Sequence, residues 1–294
     1  MKWTYATAGV FVITSQLALA DATLVICGNT ESTEDQFREM SQSAYQYSNA
    51  VGDSKFVFLG PKKWGVGKAE DVVTVPSGKS SGPAKESIAI AIQKAVKDLP
   101  PGEVLKIFIS DHGFEPSSES KPKSSGLYMS RAKVTHQDLN ELIRDNVPQD
   151  RKVILVGAYC YSGGLHNISF ENSNVCSAAV TDFRTPAAGG NWFTGIPTYG
   201  NNFWKSALKL RKASGSKPAL YESHVEASRD DFLNDWRGDL SSFAYVDQVL
   251  NQGPYQEKLG FWDSLFGDVP TSNDWDIDQY LKNQKAILFV QFYY

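Results

Sequence analysis

Two apolar runs, each ending in a glycine-bearing turn, constrain this chain more than any other feature. Leu105-Lys-Ile-Phe-Ile-Ser-Asp-His112-Gly113 delivers an imidazole to a turn, and Val153-Ile-Leu-Val-Gly-Ala-Tyr-Cys160-Tyr-Ser-Gly-Gly164 delivers a thiol. The segment between them has helical character, so the runs read as neighbouring parallel strands joined by a crossover helix. Both turns then fall at the carboxyl edge of one sheet, where open α/β sheets bind their ligands. A thiol attacks as thiolate, and an adjacent histidine both favours that form and can later protonate a leaving group. Cys160 is therefore the candidate nucleophile and His112 the candidate general acid/base.

The rest of the chain alternates in the same way. Thr23-Leu-Val-Ile-Cys27 and Phe56-Val-Phe-Leu59 read as strands, with shorter ones at residues 72–75, 126–129 and 175–180 and a closing one at 286–292. Ser32-Thr-Glu-Asp35 opens a helix whose Phe37, Met40, Ala44, Tyr45 and Val51 fall near one face. A second helix spans about residues 84–99 and is stopped by Pro100-Pro101-Gly102. Thr135-His-Gln-Asp138 opens a third that carries Leu139, Leu142 and Ile143, and further helices are expected at 201–213 and 220–233. Strands alternating with helices predict an α/β sandwich with a mostly parallel central sheet flanked by helices. The polar loop 114–125 offers little to a core and is expected to be mobile.

Lys2, the apolar residues 8–14 and Leu17-Ala18-Leu19-Ala20 read as a secretory signal with a small-x-small cleavage site, leaving a single domain over residues 21–294. The expected location is outside the cytoplasm, secreted or periplasmic, with no membrane span after removal of the signal. A net charge of −4 gives no reason to expect nucleic acid or an anionic membrane as partner. Three cysteines are too few for a disulfide scaffold, and Cys27 and Cys176 lie in strand-like runs where cysteine is usually a small buried hydrophobe. His136 sits beside a predicted helix cap and His166 and His224 lie in polar contexts, so all three are expected to face solvent.

Phe-Ile-Ser-Asp111-His112-Gly113, followed some fifty residues later by Cys160-Tyr-Ser162-Gly163, resembles the legumain family of caspase-like cysteine peptidases. Asp138-Leu-Asn140, Asn174-Val175, Arg184 and Phe37-Arg38 recur at family-like spacing, and the resemblance covers roughly residues 23–184. It implies a caspase-like fold and a peptide-bond hydrolase in which Cys160 attacks the carbonyl and His112 protonates the departing amine. The N–H groups of Gly113 and Cys160 would hold the oxyanion, and glycine at 113 suits a backbone that approaches a ligand closely. Where the family has a catalytic asparagine this chain has Gln36, whose amide oxygen can also accept from an imidazole.

The resemblance also supplies a substrate pocket. Arg38 would line it, with Asp182 and Arg184 as further contributors, while Ala158 stands where the family carries an acidic side chain. A retained arginine without that acid predicts cleavage after Asp in preference to Asn. The partner is a peptide or protein substrate, and no metal or organic cofactor is implied. Two alternatives remain open: acyl transfer to an amine in place of water, and a catalytically silent binding or scaffolding protein, suggested by Gln36 and Ala158. Oligomeric state is not legible. Asp274-Trp-Asp276-Ile-Asp278 imitates a calcium loop, but Gln279 and Lys285 occupy its glycine and bidentate-acid places. Asn167-Ile-Ser169 fits a glycosylation acceptor.

Overall fold

The computed structural model describes residues 21–28, 34–75, 77–118, 121–180 and 198–214, together with Leu220, Ser223 and Ala227. The expected signal, Asp182, Arg184, His224, most of the helix expected at 220–233, the acidic stretch at 274–278 and the closing strand lie outside the described residues.

In chain order the elements are β1 (Ala22–Ile26), α1 (Glu34–Val51), β2 (Lys55–Leu59), β3 (Val72–Val73), α2 (Ser81–Val96), β4 (Val104–Ile109) and β5 (Gly113–Phe114). They continue as β6 (Gly126–Met129), β7 (Ala132–Thr135), α3 (His136–Asn146), β8 (Lys152–Gly157), α4 (Leu165–Glu171), β9 (Val175–Ala179) and α5 (Thr198–Ser214). Six strands form one sheet in the order β3-β2-β1-β4-β8-β9, every pair parallel. The fold is an α/β sandwich, as the alternation of elements predicts.

Side chains of a strand alternate between faces, and the core divides accordingly. Leu24, Ile26, Ile107 and Leu155 pack with Ile88 and Ile92 of α2, Leu139 and Ile143 of α3, and Leu165 and Ile168 of α4. Val25, Phe108 and Val156 face the other way, onto Phe37, Met40 and Ala44 of α1 and Phe203 and Trp204 of α5. Along α1 the stripe continues through Tyr47, which is buried, whereas the expected Tyr45 is only half-buried beside Phe56. The cause is spacing: Ala44, Tyr47 and Val51 keep the three-then-four repeat of one helical face, and Tyr45 sits one residue off it.

Three short strands form a second, antiparallel sheet in the order β5-β6-β7. Here the expected mobile loop is instead partly built into the fold. Phe114 and Ser125 are buried, Pro122–Ser124 make a 3₁₀ turn, and the Ser124 hydroxyl accepts from the Ser117 N–H at 2.7 Å. Its serines satisfy local backbone groups, which is how a polar stretch orders itself without a core of its own. Cys27 and Cys176 are both fully buried, as their runs predict. They extend from β1 and belong to β9, about 14 Å apart across three strand spacings and offset by four residues along them, well beyond disulfide reach.

Candidate functional site

The register of β4 and β8 places the thiol and the imidazole. Ile109 is paired with Gly157, and His112 and Cys160 each stand three residues beyond that pair. The Ala158 N–H donates to the Ile109 carbonyl at 2.8 Å, so the two chains leave the sheet side by side. They then touch through their main chains: a Cβ placed on Gly113 would lie 1.8 Å from the Cys160 carbonyl oxygen and 3.0 Å from the Tyr159 ring. Only glycine fits a contact that close. Cys160 is partly exposed and His112 is exposed, so neither is walled off from solvent.

Several groups orient the histidine turn. The His112 N–H donates to Asp111 Oδ1 at 2.7 Å, its carbonyl accepts from the Tyr128 N–H at 2.8 Å, and its ring meets Phe37 edge-on with centroids 5.2 Å apart. Bonds alternate along an antiparallel ladder, so a bonded Tyr128–His112 pair leaves Gly113–Leu127 as a non-bonded pair. The Gly113 N–H therefore turns away from β6.

Phe37 brings the first turn of α1 to His112, and with it the flanking Gln36 and Arg38. Gln36 is half-buried. Arg38 is exposed, and its guanidinium pairs with Asp35 at 2.8 Å. Ala158 is half-buried at the end of β8, against the core face that α1 and α5 cover. Asp182 and Arg184 are the two expected pocket residues that fall outside the described structure.

Beneath the turns lies a buried polar group that sequence reasoning missed. Asp111 accepts from the Gly28 and His112 N–H groups at 2.6 and 2.7 Å, and burial is the main cause that pushes its carboxyl up to about 8. Tyr159 is buried under Gly113, and its phenol is pushed well above the ordinary value by burial and then by the Asp111 charge. Its hydroxyl lies 2.7 Å from Nε2 of His136, whose Nδ1 lies 2.9 Å from the Ser125 hydroxyl.

The expectation that His136 faces solvent is thus overturned, because the ring is fully buried. His166 departs from expectation as well: it is part-buried, its Nδ1 is 2.9 Å from the Ser177 hydroxyl, and burial lowers its pKa to about 4. A histidine just after a helix cap carries no periodic signal of burial, so only tertiary packing could place His136. Asp111, by contrast, stands inside the motif and was legible as a neighbour of His112 if not as a buried acid. The glycosylation-like triplet lies in α4, with the Ser169 side chain buried.

Immediately after Cys160, Tyr161 adopts a left-handed backbone with φ 62°. That conformation is costly for a bulky residue and is typical of places where the surrounding structure enforces a special turn. Burial, then the charges of Glu115 and Cys160, raise the pKa of the Tyr161 phenol, which puts it within electrostatic range of both. Among the described residues no group of His, Cys, Asp and Glu is arranged to hold a metal ion, and no helix is long and apolar enough to cross a membrane.

The class defined so far is a parallel α/β sandwich that brings a thiol turn and an imidazole turn into contact at one sheet edge. No protein-family model matches the chain, and no curated protein matches it. Among solved structures, protein GSU0716 from Geobacter sulfurreducens is similar at 11% identity and a TM-score of 0.41, covering 71% of this chain and 88% of that one. A protein ascribed to the dihydrodipicolinate synthase family from Coccidioides immitis is similar at 11% identity and a TM-score of 0.25, covering 93% of this chain and 95% of that one. Neither likeness is close enough to carry an argument about chemistry.

Proposed function

We propose that this chain is an exported cysteine endopeptidase of the legumain type, with Cys160 as nucleophile and His112 as general acid/base. The observation that carries the reading is the main-chain contact between Gly113 and Cys160, which seats the imidazole turn directly on the thiol turn. In the first step the Cys160 sulfur bonds to the substrate carbonyl carbon, and the N–H groups of Gly113 and Cys160 receive the oxyanion. Collapse breaks the carbon–nitrogen bond as His112 gives its proton to the leaving amine. Water then attacks the thioester, His112 takes back a proton, and the acid product departs with the thiol restored. Gln36, on the α1 turn that reaches His112 through Phe37, is the group proposed to orient the imidazole.

Arg38 is the proposed reader of the substrate residue before the cut, and Ala158 leaves it without the acidic side chain that the family carries there. Its present partner is Asp35, so a substrate carboxylate must displace one exposed ion pair, a small cost of roughly 0–1 kcal/mol. Cleavage after Asp is the expected preference, and profiling with a peptide library tests it: a dominant cut after Asn, Lys or Arg would remove it. The hydrolase itself is tested by Cys160→Ala and His112→Ala, each expected to lower kcat/KM by at least about 10³-fold. A haloacetamide at about pH 5–6 should alkylate Cys160 well ahead of the buried Cys27 and Cys176, which serve as internal controls. Equal, slow labelling of all three together with inactivity on every peptide would leave the silent scaffold as the reading.

A further inference from the structure

Resting on that reading, we infer that His136 is a positioning residue: it clamps both ends of the Cys160 turn and ties them to the hairpin that carries Gly113. Three residues from two other parts of the chain meet at its ring. Ser125 precedes β6, His136 opens α3, and Tyr159 and Gly164 stand on either side of Cys160. The two ring nitrogens face opposite ways, Nε2 to the Tyr159 hydroxyl at 2.7 Å and Nδ1 to the Ser125 hydroxyl at 2.9 Å. The rings of His136 and Tyr159 are also stacked, with centroids 5.9 Å apart. On the far side of the turn, a Cβ on Gly164 would lie 2.1 Å from His136 Nδ1, so that backbone rests on the imidazole itself.

The clamp reaches the oxyanion side as well. The His136 N–H donates to the Ser125 carbonyl at 2.8 Å, and Ser125 leads into β6, the strand that pairs with Gly113. Tyr159 in turn lies against Gly113, its ring 3.0 Å from where a Cβ there would sit. One buried imidazole thus fixes the spacing between the thiol turn and the turn bearing His112 and Gly113 without touching substrate. Both nitrogens must serve, since a buried nitrogen left without a partner is unfavourable and would drive the turn to rearrange.

The test compares His136→Phe, His136→Gln and Tyr159→Phe in the full chain, each confirmed folded by circular dichroism before assay. His136→Phe is expected to lower kcat about 10- to 100-fold with KM unchanged and to slow alkylation of Cys160 by a similar factor. His136→Gln, which keeps a donor and an acceptor, should recover part of both. Tyr159→Phe keeps the ring in the core and carries the test if His136→Phe fails to fold. Combining the two should cost little beyond either alone, because both remove one coupling. Folded variants with parental kcat and parental alkylation rate would overturn the inference. Should the Cys160→Ala variant instead retain activity, the peptidase reading fails, while alkylation of Cys160 still reports whether His136 sets its turn.

Discussion

Gly113 is the residue at which sequence, contact and chemistry bear on the same atom. Its Cα sits so close to the Cys160 carbonyl that a methyl group could be admitted only by moving one turn or the other. The neighbour in question is backbone, which cannot rotate aside as a long side chain would. A displacement of about 1 Å between reacting groups is enough to cost on the order of 10² in rate. Gly113→Ala is therefore expected to keep the fold and lower kcat/KM about 10²-fold or more, as measured on the peptide that the parent cleaves best. Parental activity in that variant would show that the contact is not needed. Tyr161 illustrates the complementary case, a non-glycine residue held at φ 62° beside the thiol. Glycine there would relieve the local backbone and loosen the turn at once.

Among the elements, α3 has the plainest boundary. The Thr135 hydroxyl accepts from the Asp138 N–H at 3.0 Å, and the Asp138 carboxylate accepts from the Thr135 N–H at 3.0 Å, a closed capping box. Asp138 also meets Lys85 of α2 at 3.0 Å, and its hydrogen bonds and the Lys85 charge outweigh partial burial to lower its pKa. Thr135→Ala should cost about 1 kcal/mol in urea denaturation, with the slope of the transition unchanged. This cap was legible because its residues are consecutive and its bonds local. The parallel strands β1, β2, β4, β8 and β9 were legible for a related reason, since strands buried on both faces read as near-continuous apolar runs. Two-residue β5, by contrast, is defined by its pairing with β6, extended by the bond from Tyr128 back to His112, and α4 follows a turn set by packing. The candidate site divides along the same line. Its turns announced themselves through Gly113, Gly163 and Gly164, whereas the Asp111, Tyr159 and His136 group depends on partners remote along the chain.

Across the whole molecule the two edges of the sheet carry buried ionisable groups of different kinds. At the amino edge Lys106 pairs with Asp53 at 2.6 Å and Asp21 at 3.7 Å, lies 5.3 Å from the centre of the Tyr47 ring, and the Thr23 hydroxyl donates to Asp53 at 2.6 Å. At the carboxyl edge Asp111 is held by two N–H groups, with no cation against it among the described residues. Its carboxyl is raised to about 8, whereas an unfolded aspartate titrates near ~3.9. Between those values the unfolded chain has released a proton that the fold retains, so rising pH favours unfolding. His166 acts in the opposite sense: lowered to about 4 by burial, it stays neutral in the fold while the unfolded ring binds a proton below ~6.5. From about pH 4 to 6.5 the two effects cancel, one proton against one. Above ~6.5, of these two groups Asp111 alone still acts, and its contribution to stability should fall by about 2 kcal/mol on reaching pH 8. Asp111→Asn removes that carboxyl, although its amide leaves one of the two N–H groups without an acceptor and lowers stability at every pH. Urea denaturation of this variant should then show stability rising from about pH 4 to 6.5 and level beyond. A fall above pH 6.5 as steep as the parent's would assign the effect to another group.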